Sequence, residues 1–230
     1  KKEKNATILA HNYVIGDIQD IADYVGDSLQ LAKKAKEIDE DLIVLCGVRF
    51  MAETAKILNP KKKVLLPSMD AGCPMADMAS PSALKEFKAE NPDVKIVTYV
   101  NSSAEIKAES DICCTSANAV QVVKELGADK IVFVPDQNLG TFVEEELGNV
   151  EVLKWKGFCP THHRVTLEDI ELARNQHPGV EILVHPECKP EVFHAADVVG
   201  STSKIIQYVS ESKNDKFIIG TENGIIHSLR

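Results

Sequence analysis

No run in this sequence approaches the roughly 20 apolar residues that a membrane-spanning helix requires, and the polar opening Lys1-Lys2-Glu3-Lys4-Asn5 does not read as a secretory signal. A soluble, cytoplasmic protein with no membrane partner is expected. Positive charge is also scarce: 26 Lys and Arg stand against 35 Asp and Glu, a net charge of −9. Without a clustered basic stripe to neutralise phosphates, nucleic acid is not an expected partner. The run Lys61-Lys62-Lys63 reads as a solvated turn before a strand. Cysteine is sparse too. Six of them would fit three disulfides by number alone, but a 230-residue chain with 44% hydrophobic residues and no signal needs no covalent stapling. The thiols are better read as core residues, catalytic groups or metal ligands.

What the sequence does contain is an internal repeat. An apolar run ends in a polar residue, a loop leads to a Ser at the start of a helical stretch, and a second apolar run follows. The first copy has Ala6-Thr7-Ile8-Leu9-Ala10-His11, then Gly26-Asp27-Ser28, then Leu42-Ile43-Val44-Leu45-Cys46-Gly47. The second has Ile96-Val97-Thr98-Tyr99-Val100-Asn101, then Thr115-Ser116-Ala117-Asn118, then Ile131-Val132-Phe133-Val134-Pro135. The third has Ile182-Leu183-Val184-His185, then Gly200-Ser201-Thr202, then Phe217-Ile218-Ile219-Gly220. From polar residue to Ser the spacing is 17, 15 and 16 residues, and from Ser to the end of the next strand it is 19 in every copy.

Apolar runs alternating with helical stretches predict parallel βαβ units, whose ligands bind at the carboxyl ends of the strands. The fold class expected is α/β: three pseudo-symmetric repeats of a small parallel-sheet α-β-α sandwich around a central active site. The boundaries are 1–80, 81–165 and 166–230. Each Ser alone reads as a helix cap, but three in equivalent places suggest anion contacts at helix N-termini. Copies one and two each run on into a Cys-Pro pair, Cys73-Pro74 and Cys159-Pro160. The cysteines lie 26 residues after Gly47 and 24 after Pro135. The same interval from Gly220 places a third Cys near position 245, so the third repeat is expected to be incomplete in this sequence. Thiolates from related loops can hold irons of a [4Fe–4S] cluster and leave one iron open. Cys46, Cys113, Cys114 and Cys188 read as core or bystander residues, and Cys159-Pro-Thr-His162 has no second Cys/His pair to complete a zinc site.

These segments, with His11-Asn12-Tyr13, Gly72-Cys73-Pro74-Met75, His185-Pro186-Glu187 and Gly220-Thr221-Glu222, closely resemble the quinolinate synthase family along nearly the whole chain. The resemblance implies a [4Fe–4S] cofactor and the condensation of iminoaspartate with dihydroxyacetone phosphate to quinolinate, phosphate and water in NAD biosynthesis. It implies Cys73 and Cys159 as cluster ligands. It also implies His11, Ser28, Tyr99, Asn101, Ser116, His185, Glu187, Ser201 and Thr202 around the substrate. Tyr13, Glu187 and His185 are the catalytic candidates, because enolisation, imine formation and dehydration all move protons. L-Aspartate oxidase or aspartate dehydrogenase is the expected functional link as the source of iminoaspartate. Lys204 is the nearest basic residue within these motifs, so helix N-termini, hydroxyls and imidazoles are expected to meet the substrate's charge. His162 and His163 rank second, and His177, His194 and His227 read as surface or packing residues. Two rival readings remain, an iron–sulfur hydro-lyase of a small hydroxy acid and a non-catalytic iron–sulfur sensor.

Overall fold

The computed structural model describes residues 1–230. It is an α/β structure built on three parallel sheets. The first comprises β1 (Ala6–His11), β2 (Tyr24–Gly26), β3 (Leu42–Cys46) and β4 (Lys63–Leu65), ordered β2-β1-β3-β4. The second comprises β5 (Lys95–Tyr99), β6 (Ile112–Cys114), β7 (Lys130–Val134) and β8 (Glu151–Lys154), ordered β6-β5-β7-β8. The third comprises β9 (Glu181–Val184), β10 (Val198–Val199) and β11 (Phe217–Gly220), ordered β10-β9-β11. No helix is long and apolar enough to cross a membrane.

The apolar runs form strands because a parallel sheet with helices on its faces needs side chains that are hydrophobic on both sides. In the second sheet Val97, Ile131 and Phe133 pack into one cluster and Ile96, Val132 and Val134 into another, as the two-residue alternation of a strand demands. Ile182 and Val184 face one cluster of the third sheet while Leu183 faces the other. The short strands β2, β6 and β10 were not foreseen. At three, three and two residues they are too brief for periodicity to show.

One device recurs in all three sheets. Asp23, Asp111 and Asp197 each stand just before the short strand, accept through Oδ2 from the backbone N–H of Ile8, Ile96 or Ile182 at 2.8 Å, and donate their own N–H to the same residue's carbonyl. A cation joins each carboxylate: Lys1, Lys95 or Arg174. These paired bonds fix the register of the short strand against β1, β5 or β9, and so set where the following loop emerges.

Phe133 is the largest fully buried side chain and lies in the cluster against which both Cys73 and Cys159 pack. Truncation to Ala should cost about 3–5 kcal/mol, lost transfer energy plus a cavity. Chemical denaturation will read this as a lower midpoint, and a shift under 1 kcal/mol would mean the cluster can collapse around the gap.

Candidate functional site

The loops leaving the carboxyl ends of the strands in all three sheets line one cavity of about 450 Å³. The first sheet contributes His11, Tyr13, Ser28 and Cys73, the second Tyr99, Asn101, Ser116 and Cys159, and the third His185, Glu187 and Thr202. Eleven of the twelve residues expected at the site are therefore brought together. Ser201 is not among the lining residues: its hydroxyl caps the helix Thr202–Glu211 through Lys204 N and also meets Ser203 Oγ at 3.1 Å.

The three serines are not in equivalent local positions. Asp27, not Ser28, caps the helix Ser28–Glu37, with Gln30 completing a capping box. Ser116 precedes the helix Ala119–Leu126, whose N-cap Asn118 turns its Oδ1 back to Thr115 N at 2.7 Å. Only Ser201 is itself the cap. The three helix starts share a neighbourhood but not one anion-binding geometry.

The two strand-end histidines do share a geometry. His11 Nδ1 accepts from Tyr13 N at 3.2 Å, and His185 Nδ1 accepts from Glu187 N at 3.3 Å. Burial drives the first imidazole down to about 4 and the second to about 3, so both rings are neutral at physiological pH. With Nδ1 accepting, Nε2 carries the proton and is each ring's free donor.

A chain of hydrogen bonds links the other groups. Tyr13 Oη lies 2.7 Å from Thr202 Oγ1 and 2.8 Å from Thr221 Oγ1. Thr221 Oγ1 lies 2.7 Å from His162 Nε2, and His162 Nδ1 lies 2.8 Å from Glu187 Oε2 and 3.2 Å from Cys159 Sγ. Burial raises the Glu187 carboxyl, but His185, His162 and the hydrogen bonds from His162 and Tyr99 outweigh it and hold the group below the usual carboxylate range. Burial raises the Tyr13 phenol above its ordinary value despite the two threonine hydroxyls, so it keeps its proton. Tyr99 is raised likewise by burial and by the Glu187 charge.

Both thiols face the same cavity from adjoining loops. Phe158 N donates to Met78 Sδ at 3.4 Å and Trp155 Nε1 to Met78 O at 3.0 Å, joining the segment after Cys73 to the one before Cys159. Buried Asp136 fixes the second loop, accepting Leu139 N at 2.7 Å through Oδ1 and Cys159 N at 3.0 Å through Oδ2. Gly157 permits this approach, since a Cβ there would stand 2.4 Å from Pro135 O. Burial raises both thiols above their ordinary values. Two thiols on adjoining loops, facing one roomy cavity, fit an iron–sulfur cluster as two of its ligands. Cys159, His162 and Glu187 also bring three donor atoms within 4.8 Å of one another, a set that can hold a single metal ion. Cys113 is exposed, Cys46 half-buried, and Cys114 and Cys188 buried; none of the four lines the cavity.

Several residues gain importance only from the structure. His162, ranked second from the sequence, is 2% exposed and stacks on His185 at 4.6 Å. His163 instead turns toward Asn138 and Phe158. Arg164 is the one Lys or Arg lining the cavity, whereas Lys204 caps Val199 O at 2.9 Å on the surface. Asn101 Oδ1 is a buried acceptor with no partner in the protein, as expected of an atom that awaits a donor from a ligand.

Comparison with known proteins agrees with this picture. A family model described as quinolinate synthetase A protein matches residues 1–230. The chain is 60% identical over 230 residues to the quinolinate synthase of Alkaliphilus metalliredigens, covering all of this chain and 76% of that one. Over the same spans it is 54% identical to that of Caldicellulosiruptor bescii and 51% identical to that of Clostridium perfringens. Among solved structures, an ABC transporter solute binding protein of Burkholderia graminis in complex with D-arabinose aligns at a TM-score of 0.27. Its identity is 12% over 65% of this chain and 75% of that one, a likeness that carries no weight.

The neutral histidines make acid stability a test of the site. Unfolded imidazoles take up protons below about 6.5, whereas His11 and His185 wait until about 4 and about 3. The unfolded state therefore binds more protons through this window, and stability falls as pH falls from 6.5. Each ring contributes up to about 1.4 kcal/mol per pH unit. Unfolding free energies at pH 6.5, 5.5 and 4.5 should be about that much less steep in His185→Gln; an unchanged slope would mean that the native ring is already charged.

Proposed function

Because the chain belongs to the quinolinate synthetase A family, we propose that it condenses iminoaspartate with dihydroxyacetone phosphate to give quinolinate, phosphate and water in NAD biosynthesis, using a [4Fe–4S] cluster. The observation that carries this reading is the convergence of Tyr13, Glu187, Cys73 and Cys159 on one cavity. An aspartate oxidase or dehydrogenase would supply the imine, and the enzyme would work in the cytoplasm.

The fold in this reading is a triplicated unit, with repeats at 1–80, 81–165 and 166–230. The shared strand order and the recurring Asp23, Asp111 and Asp197 clamps support it. Cys73 and Cys159 would hold the cluster, which when bound supplies a Lewis-acidic iron. The protein's own groups handle the rest. His11 and His185 donate through Nε2 to substrate oxygens without adding charge. Ser28, Ser116, Thr202 and Asn101 add neutral hydrogen bonds, and Arg164 meets an anion at the rim. Ser201 acts behind Thr202 by capping its helix.

Glu187, ionised and within the cavity, is the base that removes a proton from carbon or nitrogen. Tyr13, which keeps its proton, is the acid that protonates a departing hydroxyl. The chain Tyr13–Thr221–His162–Glu187 lets a proton taken at the carboxylate return to the phenol between steps.

A second reading is favoured by the Cys159, His162 and Glu187 set: one divalent cation in place of the cluster. Anaerobic assembly followed by iron and sulfide analysis separates the two, since a cluster gives about four of each per chain. Quinolinate and phosphate should form only when both substrates are present. Water loss from a single hydroxy acid would instead indicate a hydro-lyase, and no turnover a sensor. Tyr13→Phe and Glu187→Gln should each lower kcat by about 10²–10⁴ with iron content unchanged, and Cys73→Ala or Cys159→Ala should lose iron. Wild-type kcat in both Tyr13→Phe and Glu187→Gln would remove the proposed acid–base pair.

A further inference from the structure

Tyr13 stands on a tight turn, with Val14 N bonded to His11 O at 3.1 Å, and a turn alone does not fix a phenol between two hydroxyls. The residue that does so lies outside the cavity. Gln19, in the six-residue helix Gly16–Ile21, is 4% exposed. Its Nε2 reaches Asn12 O at 3.0 Å and Val14 O at 2.8 Å, the carbonyls on either side of Tyr13, and also Gly224 O at 3.1 Å. Gly224 belongs to the loop that carries Thr221, and it touches Tyr13 directly: a Cβ there would stand 2.6 Å from Tyr13 O and 2.7 Å from its Cα.

The far end of the amide is anchored as well. Ser228 Oγ lies 3.0 Å from Gln19 Oε1 and 3.2 Å from Asn12 Oδ1, while Asn12 Nδ2 has no partner. One hydroxyl proton cannot serve two acceptors. Turning the Asn12 amide over lets its Nδ2 donate to Ser228 Oγ and frees the hydroxyl proton for Gln19 Oε1, which satisfies all three groups. The outer edge of this seam is closed by His227 Nε2 on Asp20 Oδ1 at 2.7 Å.

We infer that Gln19 is a positioning residue: by tying both carbonyls beside Tyr13 to the Gly224 loop, it sets the phenol between Thr202 and Thr221. Two amide hydrogens are shared among three carbonyls of the first and third sheets' loops. No other side chain of that length offers two donors without charge: Glu would turn carboxylate oxygens on the carbonyls, Met keeps the length and loses every donor, and Asn falls one methylene short.

Gln19→Met is the test, in a setting that rests on the proposed reaction only for its second half. Hydrogen exchange needs no substrate. Amides of residues 12–14 and 224–228 should exchange at least about tenfold faster in the variant, while those of 130–134 stay protected; unchanged exchange in the first two segments overturns the clamp whether or not quinolinate is made. If Gln19→Met does not fold, Ser228→Ala, at an exposed site, should give a smaller increase in the same segments, and none overturns the clamp. In turnover, Gln19→Met should lower kcat by about 10–100-fold with KM within about threefold. In a Tyr13→Phe background the same change should lower kcat by less than about threefold, since the two act through one group. Equal losses in both backgrounds would show that Gln19 does not work through Tyr13.

Discussion

A carboxylate stays ionised in a buried site only when donors surround it, and Glu187 is 2% exposed. Its donors come from different parts of the chain: Tyr99 from the end of β5, and His162 from the short helix after Cys159. Asn138 holds its backbone carbonyl at 2.9 Å, from the helix that Asp136 caps. None of these donors lies within its own sheet. The ionised state of Glu187 therefore requires the second and third sheets to be assembled, and Tyr13 reaches the same network only through Thr202 and Thr221 of the third. The site is a property of the junction among the sheets, not of any one of them.

That dependence explains why neighbouring loops are so tightly tied. Asp136 holds Leu139 N and Cys159 N with one carboxylate. Burial and the nearby Glu187 charge push its own carboxyl up, against the backbone N–H donors of Leu139, Cys159 and Asn138 that pull it down. Glu53 reaches across from the first sheet's helix to Ala104 N at 2.9 Å, and Lys107 returns to Thr54 Oγ1 at 2.9 Å. Ala104 N and Leu139 N are helix-start groups that these carboxylates satisfy, whereas Thr54 lies in the middle of its helix.

Much of this was legible in the sequence because the information was local. Apolar runs with constant spacing gave the three sheets, and His11 and His185 at like positions marked the strand ends that meet at the cavity. What escaped was what packing alone decides. His162 matters because Thr221, 59 residues on, lies 2.7 Å from its Nε2, and no spacing rule connects those two. Asp136 looks like any helix cap until Cys159 N is found on its second oxygen. Ser201 and Ser28 look alike in sequence, yet an Asp one residue earlier takes over the capping of the first helix and leaves Ser28 on the cavity wall. Lys204 sits inside a site motif but its chain curls back to Val199, whereas Arg164 looks incidental and lines the opening.

The charge of the cavity follows from the same bonds. Its lining includes three carboxylates, Asp27, Glu187 and Glu222, against one guanidinium, in a chain of net charge −9. Such a lining would repel anionic substrates if those carboxylates were free. They are not: Asp27 accepts from Gln30 N, Glu222 from Gly224 N, and Glu187 from His162 and Tyr99. Each of these carboxylates is met by protein donors, and what remains for a ligand is Arg164 and a set of neutral donors, the Nε2–H groups of His11 and His185 with the hydroxyls of Ser28, Ser116 and Thr202. Neutral donors bind an anion less tightly than cations do. An anion seated among them is therefore held mainly by hydrogen bonds, with Arg164 the one cationic side chain of the lining.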